Sequence, residues 1–197
     1  MAARTLRLVR PGDAPPAREP VVPNGVLGML IFIMTEVMLF AGLISAYTVV
    51  RTTAVMWPPA GQPRLPAEET AINTAALLAS GVALYVAVRM FRKTPAQARI
   101  PVVTAGLLGV SFVGLQGREW AAMLAQGFTL HSGPHGAFFY TIIGVHGFHA
   151  LVAILALGWA GLRLFQSRLT LEQLQTVAVF WYFVVGVWPV LYWKLYF

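Results

Sequence analysis

The chain has 197 residues, of which 58% are hydrophobic and 11% charged, and its net charge is +7. Soluble domains carry about 25% charged residues, so this composition excludes an ordinary water-facing surface and makes the bilayer the solvent for much of the chain. The lack of cysteine excludes disulfides, thiolate metal sites and cysteine catalysis. The pI of about 10.4 does not point to nucleic acid, because the basic residues lie between apolar runs rather than along one face.

Residues 1–24 hold four Arg and five Pro and no apolar h-region. They read as a basic, Pro-rich cytoplasmic tail, extended or disordered, and not as a secretory signal. An all-α domain of five transmembrane helices is expected over 25–197. Its spans run from about Gly25 to Val50, Ile72 to Met90, Ile100 to Leu124, Gly136 to Leu164 and Leu174 to Phe197. A span needs about 20 residues at 1.5 Å each. The third and fourth exceed that, so they tilt or extend past the hydrocarbon. The connections are short: a rigid Pro/Gly segment (Trp57 to Pro66), a basic turn (Arg89 to Arg99), a Gly-rich turn (Gly127 to Gly136) and Gln166 to Gln173. In the last, Thr170 followed three residues later by Gln173 predicts a capping box.

Orientation follows from the positive charges. Arg4, Arg7, Arg10, Arg18, Arg89, Arg92, Lys93, Arg99, Arg163 and Arg168 fall on one side, ten in all, whereas only Arg51, Arg64, Arg118 and Lys194 fall on the other. The N-terminus is therefore expected in the cytoplasm and the C-terminus outside.

Polar residues within the spans are the candidates for function. Glu36 lies deep in the first span, where a carboxylate costs several kcal/mol unless protonated, paired or wet. It reads either as a proton-linked or lipid-contacting group, or as a neutral carboxyl bonded to a neighbouring helix. Glu119, near the outer end of the third span, has Arg118 or a histidine of the next helix as candidate partners. His146 and His149, three apart, share a helix face. They read as a packing or hydrogen-bonding pair between small residues rather than as a metal or haem site. Asn73 and Gln116, with Thr74 and Ser80, can bond between helices. Gly42, Ser80, Gly81 and Gly147 suggest close packing seams. Aromatic residues concentrate in the fifth span, partly as an interfacial belt. No catalytic motif, metal set or cofactor fingerprint is present.

These same segments resemble a known family. LIFIMTEVMLFAGLISAY, the WPP that follows, INTAALLASGVAL, LGVSFVGLQGREW, GPHGAFFYTIIGVHGFH and FWYFVVGVWPVLYWKLY are similar, in order from Gly28 to Tyr196, to segments of haem-copper oxidase subunit III. The resemblance implies a non-catalytic subunit of a proton-pumping terminal oxidase in a bacterial inner membrane. Such a subunit packs on subunit I, beside subunit II and other respiratory subunits. It also implies bound phospholipids, and haems and copper only in the partners. Glu36 falls on the family's intramembrane carboxylate, Glu119 on its second buried carboxylate, and His146 and His149 on its paired histidines. Longer members have two more N-terminal spans, which some bacterial relatives supply from an extended subunit I. Tyr182 and Val185 stand where the family has His and Asp, and His135 where an aromatic residue is common. An accessory subunit of a nitric oxide reductase is the alternative within this fold. A stand-alone transporter needs a polar pathway or broken helices at the midplane, and Glu36 alone does not supply one.

Overall fold

The structure, a computed structural model, describes residues 22–57 and 67–197. Most of the expected tail and most of the Trp57 to Pro66 segment lie outside the described residues. Five long helices account for nearly all the rest: α1 (Asn24–Thr53), α2 (Ala67–Phe91), α3 (Arg99–Ala125), α4 (Pro134–Phe165) and α5 (Leu171–Tyr196), with a 3-10 turn at Pro95–Ala98. All five are long and apolar enough to cross a membrane, as expected for chains whose backbone polar groups must be satisfied internally in lipid. The element ends follow local chemistry. Gln173 N donates to Thr170 Oγ1 at 3.2 Å, and Thr170 N to Gln173 Oε1 at 3.2 Å, completing the expected capping box. The α3–α4 turn needs left-handed backbone at Gly127 and Gly133, with φ of 80° and 93°, where glycine pays no Cβ penalty.

Helices α2, α3, α4 and α5 form a ring, and α1 lies outside it in the groove between α4 and α5. The ring is tied at its inside by hydroxyls of α2 and indoles of α5. Trp188 Nε1 donates to Thr74 Oγ1 at 2.8 Å, and Trp181 Nε1 to Ser80 Oγ at 3.2 Å. Lipid tails are as apolar as leucine, so such bonds and tight packing, rather than water exclusion, drive association here. The outer surface is correspondingly apolar, with Ile31, Met38, Ile72, Leu107 and Leu155 exposed. Pro189 sits within α5 and removes one backbone donor, which membrane helices tolerate when neighbours compensate.

The expected seams are partly realised. Gly81 faces Val185, Gly147 faces Trp120, and Ser80 holds Trp181. Gly42 forms no seam within the described residues: it lies on the exposed face of α1 with no neighbouring heavy atom within 4 Å of an added Cβ. The small residue alone does not tell which way its helix turns. The tightest approach between two of the long helices is at Gly109, where a Cβ would fall 2.5 Å and 2.8 Å from the Trp181 ring. Gly109→Ala is expected to lower the stability of the purified protein in mild detergent by about 1–3 kcal/mol, since the bonded indole cannot move aside freely. Gly114→Ala, where nothing lies within 4 Å, should not lower the thermal unfolding midpoint, since alanine without a clash favours the helix. Equal behaviour of the two variants would defeat this account of the seam.

Candidate functional site

Helix α1 carries two buried side chains, Phe40 and Tyr47. Phe40 lies edge-on to His149 at 5.6 Å between ring centres and to His146 at 6.3 Å. One helical turn before Phe40 on the same face is Glu36, and its Oε2 is 3.0 Å from His149 Nε2. The two side chains are 15% and 10% exposed, and Phe40, Phe180 and Phe183 surround the imidazole.

The proton count of this contact follows from the other ring nitrogen. His149 Nδ1 lies 2.7 Å from the carbonyl oxygen of Val145. A carbonyl only accepts, so Nδ1 carries a hydrogen and donates it. Nε2 and Oε2 therefore hold one proton between them. With the proton on Nε2 the contact is an imidazolium–carboxylate pair. With the proton on Oε2 it is a neutral acid donating to a neutral imidazole. The heavy atoms keep the same positions in both states.

His146 turns elsewhere. It is 2% exposed and lies 5.1 Å from the Trp188 ring, and its Nε2 has no partner among the described residues. It borders a cavity of about 250 Å³ between α3 and α4, opened by Gly117 and Gly144 and walled by Phe112, Trp120 and Leu151. The two histidines share a helix yet serve different neighbours, one the α1 carboxyl and the other the α5 indole.

Glu119 belongs to a second polar group towards the C-terminal end of α3, and its neighbour Gln116 also lines that cavity. Its Oε2 accepts from Thr70 Oγ1 at 3.0 Å and from Gln116 Nε2 at 2.9 Å. Gln116 Nε2 also donates to Tyr196 Oη at 3.2 Å. Asn73 Nδ2 donates to the Phe112 carbonyl at 3.2 Å and to Gln116 Oε1 at 3.4 Å. The expected pairing of Glu119 with Arg118 or a histidine is not formed. Adjacent residues on a helix do not face each other, and Arg118 is exposed where Glu119 is buried. The residue that sequence reasoning missed is Thr70. Helical rise carried the signal for it: Thr70 is three residues from the start of α2 and Glu119 six from the end of α3, about 5 and 9 Å from the same end of the bundle.

At the positions where the chain departs from the family pattern, Val185 packs on Gly81 and the buried Tyr182 hydroxyl has no partner among the described residues. His135 stands edge-on to Trp57 at 4.7 Å, filling an aromatic position with an aromatic contact. No cluster of three or more potential metal-ligating side chains occurs among the described residues.

Five lipid-facing helices with their polar side chains turned inward make this a multi-pass integral membrane protein. Residues 11–197 match the profile of the family described as cytochrome c oxidase subunit III. Cytochrome c oxidase subunit 3 of Oryctolagus cuniculus is 33% identical over 203 residues, covering 96% of this chain and 76% of the relative. That of Oncorhynchus mykiss is 34% identical over 200 residues, with the same coverage, and that of Osphranter robustus is 32% identical. The chain belongs to the cytochrome c oxidase subunit III family. Membership carries the coarse reading of a respiratory oxidase subunit that works in a complex with other oxidase subunits.

Proposed function

We propose that the chain is the non-catalytic subunit III of a proton-pumping terminal oxidase, multi-pass in a bacterial inner membrane. It packs on the haem-copper subunit I, beside subunit II and other respiratory subunits, and the haems and copper reside in those partners. The N-terminus is cytoplasmic and the C-terminus periplasmic, in keeping with ten basic residues on one side against four on the other. The subunit binds phospholipids, stabilises the complex and sustains proton uptake.

The observation that carries the proton-linked part is the one-proton contact between Glu36 and His149. An ionisable group within a span is a functional candidate by default. Here it can shift between charged and neutral forms without rearrangement, so a nearby change of potential moves the proton rather than the helices. Asn73, Gln116 and Glu119 bind α2, α3 and the end of α5 together and act as internal contacts.

Glu36→Gln tests this reading. The amide still donates to His149 Nε2 but cannot give up a proton. The complex is expected to assemble with a normal haem spectrum, while proton uptake falls or activity decays sooner during sustained turnover. Full assembly with wild-type uptake and wild-type endurance would remove the proton-linked role. Loss of assembly would make Glu36 a structural residue.

A further inference from the structure

Two of the buried polar atoms without a partner among the described residues belong to one cavity. They are His146 Nε2 and Trp120 Nε1, and both residues border the space of about 250 Å³ between α3 and α4. A third polar neighbour, Gln116, is already engaged. Its Nε2 donates to Glu119 and Tyr196, and its Oε1 accepts from Asn73. The hydrogen-bonding capacity left over at the cavity is therefore that of the imidazole and the indole, and a buried group left unmet is costly enough to call for an occupant. His146 lies near the middle of α4, about 18 Å along the helix from its start. The Trp120 ring is at the same level, since a Cβ added at Gly147 would fall 3.0 Å from it.

The walls define the occupant. Phe112, Trp120, Phe148 and Trp188 line the cavity with rings, which favours a flat aromatic partner. An apolar cavity of about 150 Å³ accepts benzene, so this one has room for a six-membered ring with several substituent atoms. Its mouth opens on the lipid-facing surface, where Phe148 and Leu151 are exposed. The indole N–H only donates, so the occupant carries an acceptor, and the neutral imidazole donates from Nε2 in one of its tautomers. A phospholipid brings only acyl chains to mid-span depth, and these offer no acceptor. The occupant is thus an apolar molecule that carries ring oxygens into the bilayer interior.

We propose that the α3–α4 cavity binds the head group of a membrane-soluble quinone, its carbonyl oxygens towards Trp120 Nε1 and His146 Nε2 and its tail leaving past Phe148 and Leu151 into the bilayer. The inference concerns binding and involves no electron transfer. It is measured without turnover, so it stands or falls separately from the proton-linked reading of Glu36.

The test places the whole delipidated complex in phosphatidylcholine nanodiscs with a photoactivatable azidobenzoquinone bearing a decyl tail. After illumination, peptide mass spectrometry is expected to find label on the cavity-lining stretches 112–120 and 144–151, and unlabelled decylubiquinone should displace it. Decylbenzene, with the same ring and tail but no oxygen, should not. Gly144→Leu puts a side chain into the space where a Cβ meets nothing within 4 Å, and is expected to lower the label about tenfold, since the ring's place is taken. Gly158→Leu, on the same helix, equally free of neighbours and away from the cavity, should label as the wild type does. Trp120→Phe keeps the aromatic wall and loses the donor, and should weaken competition by decylubiquinone about fivefold, the share of one hydrogen bond. No displaceable label on α3 and α4 would overturn the site. So would full labelling of Gly144→Leu, unchanged competition in Trp120→Phe, or displacement by decylbenzene as strong as by decylubiquinone.

Discussion

His149→Leu is expected to destabilise the protein by about 1–3 kcal/mol, the cost of leaving a largely buried polar group without its partner. Leucine occupies much of the imidazole space between Phe40, Phe180 and Phe183, so lost volume contributes little. The damage comes from Glu36, which keeps its place in the α1–α4 interface without the nitrogen that met it at 3.0 Å. The double variant Glu36→Leu with His149→Leu should regain most of the loss, because replacing both polar partners leaves neither unpaired. Thermal unfolding of the four proteins in the same detergent gives the coupling directly. If the two single losses simply add in the double variant, the pair does not hold α1 to α4.

Trp188→Ala is the second large effect. The side chain is 1% exposed, stands 4.9 Å from Phe112 and 5.1 Å from His146 between ring centres, and bonds Thr74 at 2.8 Å. Truncating a buried tryptophan costs about 3–5 kcal/mol. In a bilayer the transfer part of that cost is small, because the separated helices face lipid rather than water. The cavity and the lost contacts remain, which places the expectation near the lower end, about 3 kcal/mol. Trp188→Phe keeps most of the ring and loses the N–H, for about 1 kcal/mol. Equal effects of the two changes would show that the hydrogen bond, and not the packing, secures α5 to α2.

The five helices were legible because hydropathy over about 20 residues is a strong and local signal. The second began earlier than expected, at Ala67 rather than near Ile72. Glu68 and Glu69 lower the hydropathy of its first turn yet favour a helix N-terminus through the macrodipole. The capping box at Thr170 was legible for the same reason, since four consecutive residues carry it. The partners of the polar residues were not. Hydropathy and helical rise give depth along each helix, but not the angle through which one helix faces another. Glu36 and His149 are 113 residues apart, and Thr70 and Glu119 are 49 apart. Each therefore looked like an isolated group with several possible neighbours. The family resemblance singled out Glu36, Glu119, His146 and His149, yet it did not pair Glu36 with His149 or Thr70 with Glu119.

The placement of α1 outside the ring also bears on how the chain is made. Among the described residues this helix rests on α4 and α5, and Gly25 N at its start bonds Glu172 Oε1 of α5 at 3.1 Å. Both supports are translated after it. With 113 residues separating Glu36 from His149, a ribosome adding about 5–20 residues per second leaves the carboxyl without its imidazole for roughly 6–23 seconds. During nascent-chain insertion α1 must therefore dwell in or beside the translocon with an uncovered acidic group. Its final docking is a late event, set by the emergence of the fourth and fifth helices and not by the first.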